Sequence, residues 1–294
     1  MATDAQRTKT ITKRVKARYA QAATAVQAGN GTAATCCGDE GNVITGNLYA
    51  TEQAATLPED AVLASLGCGN PTALIELRPG EVVLDLGSGG GIDVLLSARR
   101  VGPSGLAIGL DMTEEMLALA QSNRAKAGVT NVIFLRGQIE DIPLPMNAVD
   151  VVISNCVINL AVDKGQVLRE ALRVLRPGGR FAVADVVADG PILADLRHNM
   201  EAWVGCLAGA LDVADYQRLL AEAGFIDISI DITRRYTAAE AGLDATTLPL
   251  GWEAGDGKLA SAFVRATKPL AVVSPVKKKR VVLPLANKGG ACCG

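Results

Sequence analysis

Between Glu81 and Ala188 the chain alternates short β-rich runs, VVLDLG, LAIGLD, VIFLRG, VDVVISN and RFAVADVV, with helical stretches such as TEEMLALAQSNRAKAG and KGQVLREALRVLRPGG. Strands that run the same way cannot be joined by a tight turn, so a helix must carry the chain back across the sheet each time. The alternation therefore predicts a doubly wound, mostly parallel α/β sheet. With 294 residues, 49 % of them apolar, the chain can bury a sizeable core and carry additions at both ends.

Those additions divide the chain into four parts. Residues 1–71 hold an N-terminal helix followed by cysteine-bearing loops. In the helix, Ile11, Val15, Tyr19, Ala22 and Val26 recur at three- and four-residue spacing until Gly29 and Gly31 stop it, with a basic face read as solvated. PEDAVLASLGCGNP reads as a short helix whose end places Cys68 in a tight loop. Residues 72–188 form the sheet domain. Residues 189–268 form a cap around DLRHNMEAWVGCLAGAL, a helix in VADYQRLLAEAG, and two strands, FIDISIDITRRYT and SAFVRATKP, expected at the sheet edge with one antiparallel. Residues 269–294 form a tail ending in GGACCG, expected to be flexible.

Charge and composition exclude several functions. The net charge is −2 with both signs interspersed, and four Phe, four Tyr and two Trp leave little for base stacking, so no nucleic-acid partner is expected. No uncharged run of about 18 apolar residues and no signal-peptide pattern is present, which predicts a cytoplasmic protein with no membrane partner. His198 is the one histidine and no CxxC or HExxH spacing occurs, which argues against an ordinary zinc site. In a reducing compartment the seven cysteines are expected as free thiols rather than as a disulfide scaffold. A monomer is the default.

The run VVLDLGSGGGID sets Gly87, Ser88, Gly89 and Gly91 between a strand and a helix, where missing side chains let the backbone approach a ligand. Asp85 precedes the glycines, and Asp111 closes the next strand, where a carboxylate can accept from both hydroxyls of an adenosine ribose. Met112 is placed to lie against the adenine face. DLGSGGG, the acidic GLDMT and the LRPGG turn before a strand resemble class I S-adenosylmethionine methyltransferases, which implies a Rossmann-like sheet and S-adenosylmethionine as methyl donor. Family members often carry Asp in a GDAEDLPF-like stretch beside the adenine; this chain reads GQIEDIPLP, with Gln138, Ile139 and Glu140 there. In such enzymes the end of the fourth strand faces the methyl group, which puts Asn155 and Cys156 at the cleft.

A single cysteine at a strand end is ordinarily core filler. SNCVINL followed by a DK pair, WVGCLAGAL, the GCG loop and the early CCG together resemble arsenite methyltransferases, over roughly residues 30 to 235. The resemblance implies Cys156 and Cys206 as persistent arsenic(III) ligands, Cys68 as third ligand and redox partner, and Cys36 or Cys37 as the other redox thiol. It also implies a thiol reductant such as thioredoxin or glutathione. Cys292 and Cys293 are read as parts of a dispensable tail, and Trp203 as core packing. Two other readings stay open: a methyltransferase of the same fold acting on carbon, oxygen or sulfur of a small organic molecule, and a metalloid-binding protein that has lost catalysis.

Overall fold

The computed structural model describes residues 4–29, 58, 61, 75–189, 209–237 and 259–270. Their elements in chain order are α1 (Asp4–Gln27), β1 (Val82–Leu86), α2 (Ile92–Val101), β2 (Leu106–Asp111), α3 (Glu114–Ala127), β3 (Val132–Arg136), β4 (Val149–Asn155) and α4 (Lys164–Val174). They are followed by β5 (Leu175–Ala188), β6 (Leu211–Asp212), α5 (Val213–Ala223), β7 (Ile226–Tyr236) and β8 (Leu259–Thr267). No helix among the described residues is long and apolar enough to cross a membrane.

The strands lie in the order β3-β2-β1-β4-β5-β8-β7. The first five are parallel, and β8 runs antiparallel to both β5 and β7. This is the α/β sheet expected, with the FIDISIDITRRYT and SAFVRATKP runs at one edge and one of them reversed. The central strands are buried along almost their whole length, as strands covered by helices on both faces must be. β5 outruns β4: pairing with β4 ends at Ala184, and the overhang at Val187 and Ala188 is taken by β6 instead.

Between β1 and β4 the strand order reverses, and at such a point the loops leaving neighbouring strands diverge and open a crevice at their carboxyl ends. Local chemistry starts the helices that flank it. Asp163 caps α4 by accepting from the Gln166 N–H at 2.8 Å, and Asp212 caps α5 by accepting from the Ala214 N–H at 2.9 Å. α1 buries Ile11, Val15, Ala23 and Val26, the last two against Met116 and Leu119 of α3, and leaves Lys13, Arg14 and Arg18 exposed. The expected helix and its solvated basic face are therefore present, and Gly29 has the left-handed conformation of a helix stop. Ala61 is helical and packs against Ile92 and Leu96.

One buried charge makes the fold sensitive to pH. Asp185, fully buried on β5, accepts from the Tyr216 hydroxyl at 3.4 Å. Burial raises its carboxyl from 3.8 to about 7, although Lys164, the Val186 N–H and Tyr216 all pull it down. Between those two values the folded protein keeps a proton that the unfolded chain has released, so this contribution to stability is full below 3.8 and lost as pH rises through about 7. Asp185→Asn is expected to flatten that part of the stability curve, read from denaturant midpoints across the window; an unchanged slope would mean that Asp185 does not titrate there.

Candidate active site

The crevice at the switch point is a cleft of about 990 Å³ counting its open mouth. It is walled by the ends of four strands and by α1, a size and position suited to a nucleotide-like cofactor. β1 delivers Asp85, Gly87, Ser88 and Gly89; β2 delivers Asp111 and Met112; the loop after β3 delivers Gln138, Ile139 and Glu140; and β4 delivers Asn155. These are the expected cofactor residues, except that Gly91 stands behind the cleft wall. Gly91 begins α2 with φ 88, and a Cβ there would lie 3.0 Å from Phe134, so it serves helix–strand packing.

The glycine turn is built by backbone hydrogen bonds. The N–H groups of Gly87 and Ser88 both donate to Leu110 O, at 2.8 and 2.9 Å, which ties the turn to the end of β2. Gly87 has φ 70, and a Cβ on it would come within 2.5 Å of Val157. Gly87→Ala therefore combines a left-handed alanine with a clash and is expected to lower unfolding free energy by roughly 2–4 kcal/mol. Equal denaturant midpoints for variant and parent would disprove the constraint.

Asp111 organises this corner. Its two carboxylate oxygens accept from the Gly89 N–H at 3.0 Å and the Thr113 N–H at 2.8 Å. The oxygens expected to serve a ribose thus already hold the glycine turn and the start of α3. Asp93 joins Asp85 and Asp111 at the cleft floor and accepts from the Asn155 side-chain amide at 3.2 Å. Burial pushes the Asp85 carboxyl well above the usual carboxylate range, and the charges of Asp93 and Asp111 push the same way. Burial also raises Asp111, against the N–H bonds from Thr113 and Gly89 that favour its ionised form. Three crowded carboxylates carry an electrostatic cost that a positively charged ligand would relieve.

The loop after β3 is fixed from outside the cleft. Glu170 Oε2 accepts from the Ile142 N–H at 2.8 Å, and Arg173 donates to the carbonyls of Ile142 at 2.8 Å and Leu144 at 2.7 Å. The hydrogen bond from Arg173 holds the Glu170 carboxyl below its ordinary value, so the pair stays charged. Gln138 is exposed at the cleft rim and pairs through its backbone with Asp141. Burial raises the Glu140 carboxyl, and α4 reaches its carbonyl through Gln166 Nε2 at 3.2 Å.

Thr12, Val15 and Tyr19 of α1 also line the cleft, together with Asp93, Thr113, Met116, Val157, Leu160 and Ala161. The periodicity of Val15 and Tyr19 shows a buried face but not which surface it covers. Asp93, two residues after Gly91 in the first turn of α2, was legible only as a favourable helix-start charge.

Cys156 follows β4 directly. It is buried, has φ 58, and its N–H donates to Ala184 O at 2.8 Å. Its sulfur is disulfide-bonded, which corrects the expectation of a free thiol. Burial alone did not decide the matter, since a thiol is kept free by the lack of a neighbour as much as by the compartment. Cys36, Cys37, Cys68, Cys206, Cys292 and Cys293, with His198 and Trp203, lie outside the described residues.

The methyltransferase-domain family matches residues 77–224 of the chain. The arsenite methyltransferase of Halobacterium salinarum is 43 % identical over 232 residues, covering 74 % of this chain and 57 % of that protein. A crystal structure of CrArsM, an arsenic(III) S-adenosylmethionine methyltransferase from Chlamydomonas reinhardtii, superposes with a TM-score of 0.60 at 31 % identity, over 75 % of this chain and 73 % of that one. The chain belongs to the arsenite methyltransferase family. A mouse arsenite methyltransferase is 34 % identical over 252 residues, 82 % of this chain and 64 % of that protein. This arsenite methyltransferase homologue thus spans 57 % to 64 % of the length of these two curated relatives.

The cleft suits S-adenosylmethionine on its own chemistry. The sulfonium and the ammonium are cations, and three buried carboxylates converge there. Ser88 Oγ is buried with no hydrogen-bond partner among the described residues and sits on the turn where a ligand would supply one. Because a cation would favour the ionised forms of Asp85 and Asp111, cofactor affinity is expected to weaken as pH falls through their raised pKa values and these groups take up protons. Calorimetric titrations across pH check this, and a flat profile would sink it.

Proposed function

We propose that the protein methylates trivalent arsenic, as arsenite and then as methylated arsenicals, with S-adenosylmethionine as donor. The observation that carries the reading is Cys156 itself: a disulfide-bonded cysteine in the turn after β4, between the cleft-lining residues Asn155 and Val157. A thiol pair there suits a soft trivalent metalloid far better than an oxygen or nitrogen acceptor. The family relationship supports the same reading, since the relatives quoted above carry that activity in their names.

The proposed residue roles follow from position. Asp85 and Asp93 hold the cationic groups of the cofactor, Asp111 accepts from its ribose hydroxyls, the glycine turn admits its backbone-facing side, Met112 and Gln138 flank the adenine, and α1 covers it. When bound, the cofactor supplies an electrophilic methyl on sulfur. Cys156 and Cys206, with Cys68 as third ligand, hold arsenic as thiolates; the arsenic lone pair attacks the methyl carbon as the carbon–sulfur bond breaks. No general base is needed, because the lone pair carries no proton. Holding the two partners in attack geometry is worth roughly 7–11 kcal/mol of barrier.

Transfer takes arsenic formally from the trivalent to the pentavalent state. A cysteine pair returns the two electrons by closing a disulfide, with Cys68 and Cys36 or Cys37 as the pair, and an external thiol such as thioredoxin or glutathione reopens it. The disulfide at Cys156 must likewise be reduced before that sulfur can bind arsenic. These demands fit a reducing cytoplasm. The test is incubation of the reduced protein with arsenite, S-adenosylmethionine and thiol, with arsenic speciation over time. Formation of mono- and then dimethylated arsenic is expected; methyl transfer to a quinone or organic thiol without any to arsenic would overturn the reading.

A further inference from the structure

Where β4 ends, four consecutive residues are each fastened to a neighbouring element, and three of those fastenings run to the cofactor side of the cleft. Ser154, fully buried, donates from Oγ at 3.0 Å to the carbonyl of Leu86, the last residue of β1 before the glycine turn. Asn155 donates from Nδ2 to Asp93 in the first turn of α2 at 3.2 Å. Cys156 donates its N–H to Ala184 O of β5 at 2.8 Å. Val157 completes the series against Gly87. A Cβ on Gly87 would fall 2.5 Å from Val157 Cγ1, 2.6 Å from Cγ2 and 3.0 Å from Cβ, so the bare glycine lies directly against both methyl groups. Val157 is half-buried and lines the cleft together with Gly87 and Asn155.

A residue that only filled the core would face away from the cleft. Val157 instead bears on the cofactor turn, borders the cleft, and follows Cys156 directly. Branching at its Cβ restricts χ1, so the two methyl groups keep one position. Gly87 is held in turn, because its N–H and that of Ser88 both donate to Leu110 O. We propose that Val157 is a positioning residue: by bearing on Gly87 it fixes the separation between the turn that seats the methyl donor and the turn that carries Cys156. The proposal rests on the reading of Cys156 as an arsenic ligand. In-line transfer needs the reacting atoms about 3–3.5 Å apart, and a misplacement of about 1 Å can cost on the order of 100-fold in rate. Each turn has its own backbone hydrogen bonds, to Leu110 O and to Ala184 O, so loss of the two methyl groups loosens the spacing rather than the turns.

The experiment uses the full chain, reduced, as Val157→Ala, Gly87→Ala and the double variant. At saturating S-adenosylmethionine, Val157→Ala is expected to lower kcat for arsenite methylation about tenfold, with KM for arsenite and the calorimetric affinity for S-adenosylmethionine each changed less than about twofold. A merely space-filling valine would cost stability without that split between kcat and KM. In the double variant the added Cβ of Gly87→Ala meets a smaller neighbour, so part of the unfolding midpoint lost in Gly87→Ala should return. An unchanged kcat, a fall in cofactor affinity as large as the fall in kcat, or strictly additive midpoints would overturn the proposal. If the parent transfers no methyl group to arsenic, the functional reading fails instead. Alkylation of Cys156 by iodoacetamide, read by peptide mass spectrometry, then decides the link between the turns without arsenic. S-adenosylhomocysteine, the demethylated cofactor, should slow alkylation at least roughly threefold in the parent and not in Val157→Ala. Equal slowing in both proteins would overturn the link.

Discussion

Cys156→Ser is expected to lower kcat/KM for arsenite by at least roughly 100-fold while leaving S-adenosylmethionine affinity within about twofold. Serine has nearly the same size and shape, so the turn between β4 and α4 should survive. What it lacks is a soft ligand atom: the hydroxyl oxygen is hard and stays protonated where a thiol would ionise. The proposed cofactor contacts, Asp85, Asp111 and the glycine turn, line the cleft, whereas the Cys156 side chain is buried in the turn after β4. Turnover measured by arsenic speciation, beside calorimetric binding of the cofactor, separates the two effects. Full activity in the serine variant would remove Cys156 from the mechanism and revive its reading as core filler.

The second large effect is expected at Asp111. Asp111→Ala should weaken S-adenosylmethionine binding by about 100-fold, near 3 kcal/mol. The loss has two sources. The ribose contact disappears, and the N–H groups of Gly89 and Thr113 lose the acceptor that aims the glycine turn and the start of α3. Stability should fall by less than binding does. Removing a buried carboxylate also removes its desolvation cost and one of the two charges that raise Asp85, and both changes favour the fold. A variant whose melting temperature collapses while its residual cofactor affinity is normal would reverse this division of roles.

Much of this site was legible in the chain. The strand–glycine–helix junction at VVLDLGSGGGID fixed the cleft's position because a sharp turn with positive φ at Gly87 and Gly89 tolerates few other residues. Asp111 was legible because a carboxylate ending the second strand of such a unit has few other uses. The floor's third acid was not, since Asp93 in a helix first turn looks the same whether it faces solvent or a cleft. Nor was α1 as a wall: the repeat of Ile11, Val15, Tyr19 and Val26 states that a face is buried, while the choice of α3 as its partner depends on surfaces more than eighty residues away. Lys164 shows the same limit from the other side. In sequence it is one charge among many; in the fold it is buried and set over Asp185, which makes it part of the Cys156 turn.

By itself the sequence determined the periodicities, hence the parallel sheet, the helices between its strands and the turn that only glycines allow, because these depend on backbone sterics and on local burial patterns. Only the tertiary structure decided which residues meet: Asp85 with Asp93 and Asp111, Gly209 with Asn159, Cys156 with another cysteine. Such meetings join residues far apart in the chain, and their geometry is set by how the strand ends diverge at the switch point, which no local pattern encodes.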